Sequence, residues 1–344
     1  MRALFIGGTG IISASVSQLA VNRGWNLTLL TRSGKSEFAP EAAHFLKGDI
    51  RDEAATAALL RNTHFDVVAD FIAFGVPDLE RDWRLFRDCT KQFIYISTAS
   101  AYQKPSSHYL VNEETPLGNP FWQYSRDKIA GEEYLMERYL KESFPVTIVR
   151  PSHTYCERKV PVAIHGKKGS WQTLKRMLDH KPVLIHGDGT SFWTMTHSSD
   201  FAKGFVGLMG NPHSIGEAVQ ITSDESMTWD QIYGILADAL DVPLEAIHVS
   251  SDFLSACSTY DLRGTLLGDK ANTLIFDNTK IKRLVPDFHA AVGMRDGLTE
   301  AVHYMRAHPE CQTEDAEFDT WCDQVIAALE TATRAVQVSF NIRG

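Results

Sequence analysis

Tyr124 and Lys128 stand four residues apart in the run Tyr124-Ser125-Arg126-Asp127-Lys128, and on a helix that spacing sets both side chains on one face. A phenol of ordinary pKa, about 10, exchanges protons poorly at neutral pH, whereas an ammonium beside it favours the phenolate. Such a pair can pass a proton to or from a reacting oxygen, and the same ammonium can hold ribose hydroxyls. A third hydroxyl is expected from Ile96-Ser97-Thr98-Ala99-Ser100-Ala101-Tyr102, where Thr98 is placed to hydrogen-bond a substrate oxygen and Ser97 and Ser100 compete for that role. Hydroxyls at such positions also commonly satisfy backbone groups.

The run Gly7-Gly8-Thr9-Gly10-Ile11-Ile12-Ser13 follows an N-terminal apolar stretch and opens a segment of helical spacing. Glycines there permit a tight turn and let the backbone approach a pyrophosphate, whose charge the helix amides favour. Gly7, Thr9, Gly10 and Ile12 are the expected cofactor contacts. Ser13 stands where the strict pattern has glycine, so helix and strand are expected slightly further apart. The next apolar run ends Leu30-Thr31-Arg32. An acid at this place would accept from a ribose 2′-hydroxyl, whereas an arginine accommodates a 2′-phosphate. Arg32 therefore points to NADP, with NAD as the alternative, unless Arg32 is only a solvated loop charge. In Gly48-Asp49-Ile50-Arg51-Asp52, Asp49 and Ile50 are expected beneath the adenine and Asp52 to cap the helix that follows.

These residues need a particular set of elements behind them. Apolar runs at 2–7, 26–31, 43–47, 66–72, 92–97 and 145–150 read as strands, and 9–23, 53–61 and 121–142 as helices. Strands apolar on both faces, alternating with helices, indicate a parallel sheet covered on both sides. After Pro151 the elements become short and mixed, with strand-like pieces at 182–185 and 217–221, helices near 171–179, 198–209 and 228–240, and an amphipathic helix at about 314–335. The fold class expected is α/β: a Rossmann doubly wound parallel sheet over 1–150, with parts of 190–225 returning to it. The remainder, 151–344, is expected to be mainly a smaller mixed α/β substrate lobe and a C-terminal helix.

The 344 residues are 44% hydrophobic and 22% charged, ordinary for a globular chain. No stretch is apolar for the roughly 18 residues of a membrane span and no basic, apolar leader opens the chain, so a cytoplasmic location without membrane partners is expected. Five scattered cysteines without a CxxC pair read as reduced thiols. A net charge of -9, spread along the chain, disfavours nucleic acid as a partner. The thirteen histidines show no ligand spacing, so no metal is expected. Trp83, near Arg81 and Arg84, reads as surface or dimer packing.

Taken in order, GGTGIIS, GDIRD, FIYISTASAY, YSRDK, IVRPSHTY and HGDGTSFWTMTHSSDFA resemble the extended short-chain dehydrogenase/reductase family, in particular its NAD-dependent epimerase/dehydratase group. The resemblance covers most of the chain. It implies Tyr124 as catalytic acid or base, Lys128 as its partner, Thr98 as the hydroxyl member and a homodimer through the helix carrying the tyrosine. It sets His153, Tyr155, His165, Trp193 and His197 around the substrate, with His153 and Trp193 foremost and Ser100 beside them. Two departures stand out. Trp193 occupies the place of the arginine that grips a nucleotide-sugar diphosphate, and an indole cannot replace a bidentate clamp. Ala99 and Ser100 follow Thr98 where dehydratases carry an Asp-Glu pair, and neither is a carboxylate acid or base. The first segments also resemble a subgroup that includes RNA-associated chloroplast proteins.

The leading expectation is an NADP(H)-dependent oxidoreductase acting on a secondary alcohol or carbonyl of a small sugar-like substrate. The alternatives are a sugar or nucleotide-sugar epimerase with tightly bound NAD(P), and a non-catalytic dinucleotide- or RNA-associated protein.

Overall fold

The computed structural model describes residues 1–342. Seven strands form one sheet: β1 (Arg2–Ile6), β2 (Asn26–Thr31), β3 (His44–Lys47), β4 (Val67–Asp70), β5 (Phe93–Ile96), β6 (Val146–Pro151) and β7 (Ala218–Ile221). They lie in the order β7-β6-β5-β4-β1-β2-β3, and every pairing is parallel. Alternation along the strands builds two cores. Ala3 and Phe5 of β1 face Val16, Leu29, Val67, Phe201 and Phe205. Leu4 and Ile6 face Leu30, Val68, Leu79, Tyr95, Leu135 and Ile148. Such two-sided burial is what makes these strands read as continuous apolar runs rather than alternating ones.

Because β1 stands between β2 and β4, the strand order reverses there, and open sheets of this kind bind ligands beyond the carboxyl ends at that switch. Helices α1 (Ser13–Asn22), α2 (Glu53–Leu59), α3 (Val76–Phe86) and α4 (Gln123–Glu142) connect the strands. The first helix begins at Ser13, because residues 7–12 are spent on the turn. The apolar pattern shows no helix at 76–86, where the structure has α3, and Trp83, read as surface or dimer packing, is half-buried. Arg81 is buried and ion-paired to Asp70, Asp78 and Asp82, and Trp83 packs against the core of that face. A helix whose buried face is charged hides from a search for apolar periodicity.

The chain divides into two compact units. The first comprises residues 1–156, 193–226 and 272–294; the second comprises 157–192, 227–271 and the described residues from Arg295 onward. In the second unit Val183–His186 pairs in parallel with Ala246–Val249. Among the described residues no helix is long and apolar enough to cross a membrane.

Candidate functional site

The β1–α1 turn is shaped by three constraints. Gly7 has a φ of +80°, and a Cβ there would lie 2.5 Å from the Ile72 side chain, so only glycine fits. A Cβ on Gly10 would meet nothing closer than the Ser13 hydroxyl at 3.4 Å, which leaves open space over the turn. Ser13 does more than fit: its hydroxyl accepts from Gly10 N at 2.8 Å and donates to Gly7 O at 2.9 Å, while Ser17 donates to Gly8 O at 2.7 Å. Two serines thus clamp the turn from the helix side. Thr9 and Ile12 are half-buried beside it.

Arg32 is exposed, and no hydrogen bond or ion pair holds it among the described residues, while Thr31 accepts from Gly34 N at 3.1 Å. Asp52 caps α2 by accepting from Ala55 N at 3.0 Å. Asp49 is half-buried and accepts from Arg51 N at 3.0 Å. The Ile50 side chain is 3% exposed and packs in the core, which leaves its backbone to meet an adenine.

Helix α4 carries Tyr124, Lys128 and Glu132 at four-residue intervals, hence on one face. Its entry is fixed by Asn119, whose Oδ1 accepts from Phe121 N and Trp122 N and whose Nδ2 donates to Ser100 O. Lys128 is 4% exposed, and its ammonium donates to Ala73 O and Ile96 O, each at 2.7 Å, which places it at the carboxyl ends of β4 and β5. It lies 5.8 Å from the Tyr124 ring centroid, 4.8 Å from that of Tyr95 and 5.1 Å from that of Phe74. Burial pushes its pKa down to about 8, opposed in part by Asp70, Asp78 and Glu132. Tyr124 is half-buried between Trp122, 4.9 Å away centroid to centroid, and Phe74, at 6.4 Å.

Thr98 is half-exposed; its hydroxyl accepts from Ser100 N at 3.2 Å and lies 3.0 Å from the Ser100 hydroxyl. Ser100 is 3% exposed and also meets Ser125 at 2.7 Å. Ser100 thereby links Thr98 to α4. Ser97 is 1% exposed and donates to Glu132, which removes it from the competition. Glu132 in turn receives Arg150 in a fork, Nε at 3.0 Å and Nη2 at 2.6 Å. This buried Ser97–Glu132–Arg150 group joins α4 to the ends of β5 and β6. Sequence reasoning missed it, although Glu132 continues the spacing of Tyr124 and Lys128.

In the same unit His153 is half-buried and meets Trp193 edge-to-face at 6.2 Å; Trp193 is 6% exposed. Tyr155, 2% exposed, meets His197 at 5.3 Å. His165 belongs to the second unit.

The sequence model described as the NAD dependent epimerase/dehydratase family matches residues 3–85 and 82–222. The chain is 29% identical over 239 residues to an uncharacterized UDP-glucose epimerase, YtcB, of Bacillus subtilis, covering 68% of this chain and 67% of that one. It is 25% identical over 257 residues to the chloroplast stem-loop binding protein of 41 kDa b of Arabidopsis thaliana, covering 70% and 64%. It thus spans about two thirds of the length of these curated relatives. Among solved structures, the epimerase Mth375 from Methanothermobacter thermautotrophicus superposes with a TM-score of 0.72 at 19% identity, over 90% of this chain and 93% of that one. UDP-glucuronic acid 4-epimerase from Bacillus cereus, in complex with UDP-glucuronic acid and NAD, gives 0.71 at 20% identity, over 89% and 99%. At such identities the structural likeness speaks for the fold.

Proposed function

The chain belongs to the NAD-dependent epimerase/dehydratase family, and we propose from that premise that it is an NAD(P)-dependent oxidoreductase. Its substrate in this reading is a secondary alcohol or carbonyl of a small sugar-like compound. The observation that carries the reading is the Lys128 ammonium, anchored by two backbone carbonyls 5.8 Å from the Tyr124 ring.

The residues present fit a dinucleotide: the open space over Gly10 and the serine-clamped turn suit a pyrophosphate at the start of α1. Gly7, Thr9, Gly10 and Ile12 would hold it, with Asp49 toward the adenine and the unattached Arg32 toward a 2′-phosphate. When bound, the nicotinamide supplies or accepts the hydride. Tyr124 gives a proton to the substrate oxygen during reduction and takes it back during oxidation. Lys128, with two of its three N–H groups spent on carbonyls, keeps one for a ribose hydroxyl, and its charge favours the phenolate. Thr98, held by Ser100, orients the substrate oxygen. His153 and Trp193 supply a wall on which a sugar-like ring can rest. The reading includes a cytoplasmic homodimer; the five cysteines, which form no disulfide among the described residues, suit a reducing compartment, and Leu140 on α4 is 76% exposed and available to a second copy.

Epimerisation with retained cofactor is the second reading, favoured by the names of the relatives and opposed by Trp193 at the place of the diphosphate arginine. One set of measurements separates these. The nucleotide retained on purification is identified, NADPH and NADH affinities are compared in the parent and in Arg32→Asp, and turnover of polyhydroxylated carbonyl compounds is followed in Tyr124→Phe. NADPH is expected to bind more tightly in the parent and to lose that advantage in Arg32→Asp. Tyr124→Phe should lower turnover by about 10²–10⁴-fold with cofactor affinity unchanged. Activity retained in Tyr124→Phe overturns the assignment, and a stereoisomer formed without net NADPH consumption selects the epimerase.

A further inference from the structure

Residues 71–75 turn the chain from β4 into α3, and carboxylates hold three successive amides of that turn. Asp70 Oδ1 accepts from Ile72 N at 2.6 Å and from Ala73 N at 2.9 Å, and Asp78 Oδ2 accepts from Phe74 N at 2.9 Å. Both carboxylates are tied to one cation, Arg81, whose Nη2 meets Asp70 Oδ2 at 3.3 Å and whose Nη1 meets Asp78 Oδ1 at 3.1 Å. Hydrogen bonds to ionised acceptors are stronger than those between neutral groups, so these bonds fix the backbone of the turn. That backbone has two neighbours in the site. The Ile72 side chain lies against Gly7, where a Cβ would come within 2.5 Å of it, and Ala73 O accepts from Lys128 Nζ at 2.7 Å. One clamped segment thus meets both the glycine turn and the ammonium.

Asp70 is fully buried, and burial raises its pKa. A buried carboxylate keeps its charge only where donors gather on it, and here they are Asp82, Ile72 N, Ala73 N and Arg81. Asp82 is the member of this carboxyl pair that keeps the proton, since burial and the neighbouring Asp70 both drive its pKa well above the usual carboxylate range. The charge of the pair therefore sits on Asp70, the member bonded to the turn. The groups facing the Lys128 ammonium are Asp70 of β4, Asp78 of α3, Glu132 and Tyr124 of α4 and Tyr95 of β5. Of the three carboxylates, Asp70 opposes the effect of burial on that ammonium most.

We propose that Asp70 is a positioning residue for the Tyr124–Lys128 pair: through the 71–75 turn it fixes a carbonyl that holds Lys128, and through its charge it keeps that amine protonated. The consequence for turnover rests on the hydride-transfer reading, whereas the action on Lys128 itself does not. The buried cluster on α3 gains a role in this way. Arg81 pins the two carboxylates that hold the turn, and Asp82 takes up the proton that would otherwise cancel the charge of Asp70. Removing that charge while keeping the shape of the side chain lets Lys128 lose its proton at a lower pH.

Asp70→Asn is the test. Its amide oxygen can still accept from Ile72 N and Ala73 N, and Asp82, no longer beside a carboxylate, can ionise against Arg81, from which its Oδ1 already accepts at 2.7 Å and 2.9 Å. The variant thus loses the charge on the turn rather than its fold. Urea unfolding across pH, with and without Lys128→Met, is carried out in the parent and in the Asp70→Asn background. The pH at which the contribution of Lys128 begins to rise, about 8 in the parent, should move down by about 1 unit, which is about tenfold in the ionisation constant of the lysine. The alkaline limb of the turnover profile should move the same way, whereas a purely structural loss lowers the profile without shifting that limb. If Asp70→Asn does not fold, Asp78→Asn replaces it; a smaller shift of the same sign is expected, because the Asp78 side chain is 34% exposed and solvent screens its charge. An onset that does not move in the stability difference overturns the proposal, whatever the turnover. An onset that moves while the limb stays in place upholds the action of Asp70 on Lys128 and refutes instead the part given to that lysine in hydride transfer.

Discussion

Lys128 offers the most quantitative test of the site. The residue is 4% exposed, and burial draws its pKa from the ordinary 10.5 to about 8, against the pull of Asp70, Asp78 and Glu132. At about 1.4 kcal/mol per pH unit, that depression amounts to about 3 kcal/mol in favour of the neutral amine. In the unfolded chain the lysine keeps its proton up to its ordinary value. Between pH 8 and 10.5 the unfolded state therefore binds more protons than the folded one, and the stability contributed by this group rises with pH across that window. Below pH 8 the full burial cost is present. Lys128→Met deletes the titration and strands the carbonyls of Ala73 and Ile96, at about 1–3 kcal/mol each. Urea unfolding of parent and variant from about pH 7.5 to about 10.5 yields a stability difference in which all shared titrations cancel. The parent should gain about 3 kcal/mol on the variant over that range. A difference that stays flat refutes the claim that the site holds this ammonium out of water, and with it the argument that Lys128 is strained toward losing its proton beside Tyr124.

Two further outcomes are expected. Glu132→Ala strands the buried Arg150 cation and should cost about 3–5 kcal/mol in urea unfolding; it should also weaken cofactor binding, since Ser97 loses its acceptor and Lys128 a favourable negative charge, whereas Glu132→Gln should do less of both. Asp82 is buried, and both burial and the neighbouring Asp70 carboxylate raise its pKa well above the usual carboxylate range. A raised folded pKa means stability is lost as pH climbs from the unfolded value through the folded one, so Asp82→Asn should match the parent at low pH and exceed it near neutrality; a variant less stable at every pH contradicts this.

The residues that make the fold were legible because each obeys a local rule. Gly7 must be glycine for a positive φ against Ile72, and the runs that became β4 and β5 are apolar because both of their faces are covered. Tyr124 and Lys128 were legible by spacing alone, since four residues is a helical turn whatever the tertiary structure. What stayed hidden is polar burial. Arg81, Glu132 and Arg150 are charged letters in the sequence, and only the closure of partners distant in the chain (Asp70 for Arg81, Arg150 for Glu132) turns them into interior residues. Ser100 shows the same on a smaller scale. A serine near a reactive hydroxyl reads as a second reactive group, but its partner Ser125 sits on α4, 25 positions away, and that bond makes it a support as well. The residues that contact ligand in the proposed site thus follow short-range patterns, while those that hold them still are joined by contacts across the sheet. Variants of Ser100, Ser125 and Glu132 therefore probe the positioning of the site separately from its chemistry, which variants of Tyr124 cannot do.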